Sequence, residues 1–260
     1  MRLFIIYFQS MKDKIQIVIL AAGKGKRMKS REPKALAKLK GKFFLKHILE
    51  TLSLINFPIK PVIVVGHKKE RIFEVLGKNH NYAHQKKLLG TGHALLSAKE
   101  KMHKEHKIVF VISTDQPLIS KDTILKIIKE HLKTKSTITI GTIKLPDFKD
   151  WRSSFFYFGR IIRNKKGEII KNVEFKDAKE KEKNVKEINP AIYAFNSEWL
   201  WENIDKLNKE NSQKEYYLTD LIKIAREQNK KIQAVPITNI LEGLQPNTKE
   251  DLEILEKLVV

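Results

Sequence analysis

The chain has 260 residues, a formal net charge of +21 and no cysteine. Its length and 42% hydrophobic content fit a globular α/β protein with a sizeable core, and the lack of cysteine excludes disulfides and thiolate metal sites. The positive charge is spread along the chain and mixed with glutamate, and no nucleic-acid-binding motif accompanies it, so we expect no nucleic-acid partner.

The chain begins with an apolar stretch, Met1–Ser10, that is too short to span a bilayer. It also lacks a small-residue cleavage site after a long apolar core, which argues against a signal peptide. We therefore interpret residues 1–14 as an N-terminal extension. We expect a cytoplasmic protein without a membrane partner.

The next stretch is a strand followed by a glycine loop. Ile15–Leu20 is a short apolar run rich in β-branched residues, typical of a buried parallel strand. Two small residues and two glycines follow in residues 21–25, which lets backbone N–H groups converge on an anion. Loops at the carboxyl ends of strands bind ligands in open α/β sheets. Cationic side chains flank this loop at Lys24, Lys26, Arg27 and Lys34.

Two common phosphate motifs do not fit this loop. No register of residues 23–30 matches the P-loop pattern. The dinucleotide fingerprint matches only at Gly23 and Gly25, because Met28 occupies the third glycine position and no acidic residue follows the next strand.

Strands and helices then alternate as far as residue 143. The pattern predicts helices at residues 43–55, 69–76, 94–102 and 123–132, and strands at residues 62–65, 81–84, 107–112 and 137–143. This alternation indicates a doubly wound, mostly parallel sheet. Asp115 stands just beyond the carboxyl end of a strand, where a carboxylate suits a hard cation.

The pattern changes after Pro146. A turn at residues 164–167 joins two predicted strands, 159–163 and 168–175, and residues 187–195 are predicted as one further strand. Helices return at residues 198–207, 217–228 and 249–258, with a strand at 232–235. We interpret residues 15–260 as one domain whose antiparallel insertion, about residues 146–195, forms a lid on the sheet.

Several motifs resemble, in order, those of N-acetylglucosamine-1-phosphate uridyltransferases, a family of sugar-phosphate nucleotidyltransferases. They are Leu20–Met28 with Pro33–Leu36, Leu89–His93, Thr114–Ile119, Phe158–Ile161, Glu174–Ala178, Glu187–Asn189 and Glu215–Asp220. The resemblance implies a Rossmann-like nucleotide-diphospho-sugar transferase fold. It also implies Mg²⁺-dependent transfer of a uridylyl group from UTP to N-acetylglucosamine 1-phosphate, giving UDP-N-acetylglucosamine and pyrophosphate.

The resemblance implies a role for each matching residue. Arg27 and Lys34 would be catalytic phosphate-binding residues, and Asp115 would bind Mg²⁺. Nucleotide contacts would come from Leu20, Ala21, Ala22, Gly23, Gln85, Gly90 and Thr91. The sugar would be held by Gly159, Glu174 and Asn189. In the family, the second metal ligand is an asparagine near the C-terminus of the domain. Either Asn247 or Gln245 could correspond to it in this sequence, and we choose Asn247.

The chain departs from the family pattern at several positions. Lys26 replaces a threonine or serine of the glycine loop, and Leu88 replaces a polar residue near the base. Pro190 and Ala191 follow Asn189 where the family has threonine and glycine. These changes alter the charge near the triphosphate and the backbone of the sugar pocket.

Three alternatives remain open from the sequence. The substrate could be another sugar phosphate, or the protein could be a cytidylyltransferase, to which residues 115–118 also bear likeness. A catalytically inactive binding protein is the third. Relatives of this family carry a left-handed β-helix acetyltransferase, but only Val259 and Val260 follow the last predicted helix. We therefore expect no acetyltransferase activity, and a monomer.

Overall fold

The computed structural model describes residues 2–28 and 32–259. Its strands are β1 (Ile15–Leu20), β2 (Lys38–Leu39), β3 (Lys42–Phe43), β4 (Val62–Val65), β5 (Asn81–His84), β6 (Ile108–Ser113), β7 (Ile138–Lys144), β8 (Gly159–Arg163), β9 (Ile169–Val173), β10 (Glu187–Asn189), β11 (Tyr193–Asn196) and β12 (Ile232–Pro236). Its α-helices are α1 (Arg2–Met11), α2 (Phe44–Ser53), α3 (Lys69–Leu76), α4 (Thr91–Ala98), α5 (Lys121–Thr134), α6 (Glu180–Lys183), α7 (Ser197–Asn203), α8 (Leu221–Glu227) and α9 (Lys249–Leu258).

One mixed sheet organises the chain. Its strand order is β5-β4-β1-β6-β11-β7-β10-β8-β9, and β12 pairs with β7. The strands β5, β4, β1 and β6 are mutually parallel, and β12 is parallel to β7. The carboxyl ends of β5, β4, β1 and β6 therefore meet at one edge, where the glycine loop and Asp115 lie.

Helices cover both faces of the sheet, as the predicted doubly wound fold requires. In β1, Ile15, Ile17 and Ile19 belong to the core under α2, α5 and α9, whereas Val18 belongs to the core under α4, α7 and α8. A strand that is buried on both faces has a nearly continuous apolar sequence. The bounds of β1 could therefore be predicted correctly from the sequence. The Rossmann-like α/β prediction is confirmed.

The prediction of one strand over residues 187–195 is wrong. Two strands, β10 and β11, follow the same edge of β7, separated by residues 190–192. Pro190 has no N–H for the ladder, and Ala191 has a φ of 62°, so the backbone leaves the sheet there. On their other edges β11 pairs with β6 and β10 pairs with β8, so the sheet forks at Pro190.

The predicted insertion is continuous with the main sheet. β10, β8 and β9 extend it in antiparallel order, while β11 lies inside it between β6 and β7. The N-terminal extension is helical over α1, and its Phe8 is buried in the core with the Lys129 ammonium 5.3 Å from the ring centroid. Within the described residues, no helix combines the length and the apolar character needed to cross a membrane.

A buried histidine makes the stability of the fold depend on pH. His131 on α5 is 4% exposed, and its Nδ1 lies 2.9 Å from the Thr139 hydroxyl. Burial lowers the pKa of His131 from 6.5 to about 4. The unfolded chain therefore binds one more proton than the folded chain between these two values, and stability falls as the pH drops through this window.

We expect this histidine to remove about 3 kcal/mol from the free energy of unfolding between pH 7 and pH 4. Urea denaturation of the wild type and of His131→Asn at several pH values checks this. Asparagine keeps a polar atom toward Thr139 but does not titrate. The free energy of unfolding of His131→Asn should therefore fall less between pH 7 and pH 4 than that of the wild type, by the same amount. Parallel pH curves for the two proteins would contradict the assignment.

Candidate active site

The loop after β1 presents free backbone donors. The Ala21 N–H donates to the Val64 carbonyl (2.8 Å), but the N–H groups of Ala22, Gly23 and Lys24 donate to no other described residue. Gly25 has a φ of +60°, and a Cβ there would lie 3.0 Å from the Cβ of Lys34. A glycine at this position thus brings Lys34 against a loop that can bind an anion.

Four predicted phosphate and metal residues meet beside this loop. The Lys34 ammonium donates to Asp115 Oδ2 and to Asn247 Oδ1, each at 2.7 Å. Arg27 donates to the same Asn247 oxygen at 3.0 Å. The four residues come from the glycine loop, the turn after Pro33, the end of β6 and the start of α9. Two cationic side chains, one carboxylate and one amide are therefore joined by hydrogen bonds in which Lys34 and Asn247 are the middle members.

Asp115 retains an unsatisfied oxygen. Its side chain is 16% exposed, and Oδ1 is buried without a hydrogen-bond partner in the described chain. Burial acts to raise the pKa of Asp115, but the Lys34 charge and hydrogen bonds outweigh it, so the pKa is lowered and the group is ionised at neutral pH. A buried anionic oxygen without a donor is suited to a cation.

Asn247 and Gln245 have different partners. The Gln245 amide donates to the Pro190 carbonyl at 2.7 Å, whereas Asn247 turns its oxygen toward Lys34 and Arg27. Asn247 is held there because its N–H donates to Asp251 and its amide donates to the Gln245 carbonyl. The chain segment before α9 is thus attached to the fork in the sheet by Gln245.

The predicted base-binding residues form a second group. Gln85 is 4% exposed, and its amide donates to the Gly90 carbonyl at 3.0 Å. The Thr91 hydroxyl accepts from the Leu218 N–H at 3.0 Å, and α4 begins at Thr91, three residues earlier than predicted. Gly90 has a φ of +108°, and a Cβ on it would lie 2.6 Å from the Tyr216 carbonyl oxygen. The residue 215–218 segment therefore shapes this group.

Replacing Gly90 by alanine should disturb this group strongly. Both Gly90 and Gly77 have positive φ, but nothing lies within 4 Å of a Cβ built on Gly77. We expect Gly77→Ala to cost about 1 kcal/mol, and Gly90→Ala to cost roughly 2 to 4 kcal/mol because backbone overlap is added. Thermal unfolding of both variants measures the difference, and equal melting temperatures would contradict it.

The predicted sugar residues form a third group. Asn189 is 5% exposed and donates to the Asn172 side chain (3.1 Å) and to the Tyr193 hydroxyl (2.6 Å). Glu174 Oε1 accepts from Asn172 (3.0 Å) and from the Thr219 hydroxyl (3.1 Å). Gly159 pairs with Asn189, and a Cβ on it would lie 2.9 Å from Asn172. Burial raises the pKa of Glu174.

Short connections join the three groups. Leu218 contacts Thr91 of the base group, and the next residue, Thr219, contacts Glu174 of the sugar group. Gln245 likewise joins the Asn247 segment to Pro190, next to Asn189. Sequence reasoning assigned no role to Asn172, Tyr193 or Thr219. Of these only Thr219 lies in a quoted motif, so only that position could have been found from the sequence.

The sequence comparison identifies the family. Residues 17–218 match the MobA-like NTP transferase domain. The chain belongs to this family.

Relatives of this NTP transferase chain include the bifunctional protein GlmU of Streptococcus thermophilus, which is 40% identical over 242 residues. The bifunctional protein GlmU of Streptococcus pyogenes is 39% identical over the same length. Each alignment covers 93% of this chain and 51% of the relative. The chain therefore spans about half the length of the curated relatives it matches.

Two solved structures share the fold of this NTP transferase. A UDP-glucose pyrophosphorylase complexed with UDP-glucose has a TM-score of 0.73 at 16% identity, covering 94% of this chain and 97% of that one. A 4-diphosphocytidyl-2C-methyl-D-erythritol synthase from Anaerococcus prevotii has a TM-score of 0.64 at 15% identity, covering 95% and 99%. At these identities the likeness concerns the fold alone.

The departures from the family pattern have different structural outcomes. The Lys26 side chain lies outside the described residues. Leu88 packs on the glycine loop, since a Cβ on Gly66 would lie 2.8 Å from Leu88 and 2.9 Å from Ala22. Pro190 produces the fork in the sheet, and its carbonyl binds Gln245. Two of the departures thus change apolar packing or backbone path beside the site.

Proposed function

We propose that this chain transfers a uridylyl group from UTP to N-acetylglucosamine 1-phosphate, giving UDP-N-acetylglucosamine and pyrophosphate. The observation that carries the proposal is the contact of Lys34 with both Asp115 and Asn247, beside a loop of free N–H groups. The site lies on an NTP transferase chain that is 40% identical to bifunctional GlmU proteins.

The chain's own residues supply positioning and positive charge. The N–H groups of residues 22–24 would hold the triphosphate, while Arg27 and Lys34 would neutralise charge on its oxygens. The nucleophile is an oxygen of the sugar 1-phosphate, which is already anionic, so the reaction needs no general base. It attacks the α-phosphorus in line, the bond to the β-phosphate oxygen breaks, and pyrophosphate leaves.

The donor set also fits Mg²⁺. Asp115 and Asn247 would hold it through one carboxylate oxygen and one amide oxygen. Two protein ligands suit Mg²⁺, because this ion usually fills its other coordination positions with water and substrate phosphate oxygens. Within the described residues no cluster of three acidic or histidine side chains offers a fuller protein cage. When bound, Mg²⁺ supplies further neutralisation of phosphate charge.

The remaining groups would select the two substrates. The Gln85 amide nitrogen donates to the Gly90 carbonyl and lies within hydrogen-bonding distance of His93 Nδ1. Its Oε1 accepts no hydrogen bond from another described residue, so this oxygen can accept from a uracil ring. Gly159, Asn189 and Glu174 would contact the sugar. At Gly159 any side chain would overlap Asn172, which leaves room only for backbone there.

A coupled assay for pyrophosphate release tests the proposal. Purified protein is incubated with Mg²⁺ and each pairing of UTP, CTP, ATP or GTP with N-acetylglucosamine 1-phosphate, glucosamine 1-phosphate or glucose 1-phosphate. We expect UTP with N-acetylglucosamine 1-phosphate to give the highest kcat/KM. A preference for CTP or another sugar phosphate would replace the proposal, and UTP binding without turnover would identify a binding protein.

A further inference from the structure

Arg160 is a fully buried cation without a carboxylate partner. It follows Gly159 in β8 and is 0% exposed. The ion pairs formed by arginines of residues 2–28 and 32–259 involve Arg71, Arg152, Arg163 and Arg226, not Arg160. A buried unpaired charge is costly, so the surroundings of Arg160 must compensate for its lost hydration.

Backbone carbonyls and aromatic rings provide that compensation. Nη2 donates to the Phe156 carbonyl at 2.7 Å, Nη1 donates to the Phe158 carbonyl, and Nε and Nη2 both donate to the Lys183 carbonyl at 3.1 Å. The guanidinium carbon lies 4.7 Å from the ring centroid of Phe148, with Phe156 and Phe175 at 5.6 and 5.7 Å. Burial lowers the pKa of Arg160 to about 10, so it stays charged at neutral pH.

These partners lie on three separate pieces of chain. Phe148, Phe156 and Phe158 belong to residues 148–158, a part of the predicted insertion for which the sequence predicts no helix or strand. Phe175 directly follows Glu174, and Lys183 ends α6. One guanidinium therefore ties residues 148–158 to the segment that carries Glu174, immediately beside Gly159.

Residues 148–158 also form part of the lining of a cavity that includes Arg27 and Asn247. The cavity has a volume of about 610 Å³, and Arg27 and Asn247 line it together with Phe148, Ser153, Phe156 and Tyr157. The Tyr157 side chain is 65% exposed although it packs on Phe175 with ring centroids 5.1 Å apart. The lining thus combines the Arg27 cation and the Asn247 amide with aromatic and hydroxyl groups.

We propose that Arg160 is a positioning residue for the sugar phosphate, because it holds residues 148–158 and the Glu174 segment in the arrangement that closes this cavity. The inference rests on the proposed function. Arg160 acts through the backbone carbonyls and rings it contacts, which lie in residues 148–158, directly after Glu174 and at the end of α6. The glycine loop and the Gln85 group, which would bind UTP, make no contact with its guanidinium in the described chain.

The variant Arg160→Lys tests this, with Arg152→Lys as the matched control. Lysine keeps the charge but loses the planar fork that reaches three carbonyls. Arg152 lies in the same segment but pairs with Asp147 and shares none of the carbonyl partners of Arg160. We expect Arg160→Lys to raise the KM for N-acetylglucosamine 1-phosphate roughly tenfold, while the Kd for UTP, measured by calorimetry, changes less than about twofold. Arg152→Lys should change neither.

Amide hydrogen exchange gives a readout independent of catalysis. Exchange in residues 148–158 should be roughly tenfold faster in Arg160→Lys than in the wild type, with residues 15–25 unchanged. If Arg160→Lys does not fold, Phe148→Leu removes one aromatic face, keeps the fork, and should shift the same KM in the same direction by a smaller factor.

Three outcomes would overturn the inference: an unchanged sugar-phosphate KM in the folded variants, an equal loss of UTP affinity, or unchanged exchange in residues 148–158. Failure of the proposed function would look different. The wild type would then release no pyrophosphate, while the exchange comparison would still decide whether Arg160 anchors this segment.

Discussion

Lys34→Ala is expected to lower the turnover of uridylyl transfer by roughly a hundredfold or more, equivalent to about 2.7 kcal/mol of transition-state stabilisation. The Lys34 side chain is 11% exposed, so its charge acts at short range with little screening by solvent. Because the charge on the phosphates moves toward the leaving group during transfer, the loss should appear mainly in kcat.

The control for this variant is Lys38→Ala. Lys38 is exposed, with its ammonium 5.1 Å from the Phe43 ring centroid, and its replacement by alanine removes the same unit of positive charge. Steady-state pyrophosphate release measures both variants. Lys34→Ala leaves Asp115 without its ammonium partner, so a modest fall in melting temperature is expected alongside a folded circular dichroism spectrum. Turnover within about threefold of the wild type would refute the catalytic role.

Asp115→Asn is expected to be nearly inactive at ordinary Mg²⁺ concentrations. The substitution keeps the size of the side chain but removes its negative charge and replaces one of its two oxygens, of which Oδ1 is buried without a donor and Oδ2 accepts from Lys34. A neutral amide is a weaker ligand for a hard cation than a carboxylate. Activity should therefore return in part when Mg²⁺ is raised well above its usual level or replaced by Mn²⁺.

A metal titration of activity checks this prediction. Asp122→Asn is the matched control, since Asp122 is an exposed carboxylate in the first turn of α5. The Mg²⁺ midpoint should move to higher concentration for Asp115→Asn and remain in place for Asp122→Asn. Full activity of the wild type in excess chelator, or an unchanged midpoint for Asp115→Asn, would contradict the proposed metal ligand.

Elements with a local signal were predicted well. The bounds of β1, β4, β5, α3 and α9 agree with the sequence prediction, and all but β5 have an apolar pattern between clear start and stop residues. Gly77 ends α3 with a φ of +80°, and Thr248 begins α9 with a capping box. Such signals depend on neighbours within a few residues, so they can be recognised without the fold.

Elements shaped by distant residues were predicted less well. At the start of α4, the Gly92 N–H donates to the Tyr216 carbonyl, and the Thr91 hydroxyl accepts from the Leu218 N–H, 127 positions away. The split between β10 and β11 begins locally, at Pro190, but β8 and β6, which pair with the two halves of the predicted strand, come from other parts of the chain. Neither partner could be read from the local pattern, because hydrogen bonds across the sheet are set by topology.

The sequence by itself determined the parallel core, the glycine loop at its edge and the family resemblance, since these follow from local hydrophobic pattern and ordered motifs. Only the tertiary structure decided which of Gln245 and Asn247 turns its side chain toward Lys34, because the Pro190 carbonyl takes the Gln245 amide. It also decided that Arg160 is buried among three phenylalanine rings. Both arrangements bring together residues that are far apart in the chain, and such contacts cannot be derived from the spacing of residues in the sequence.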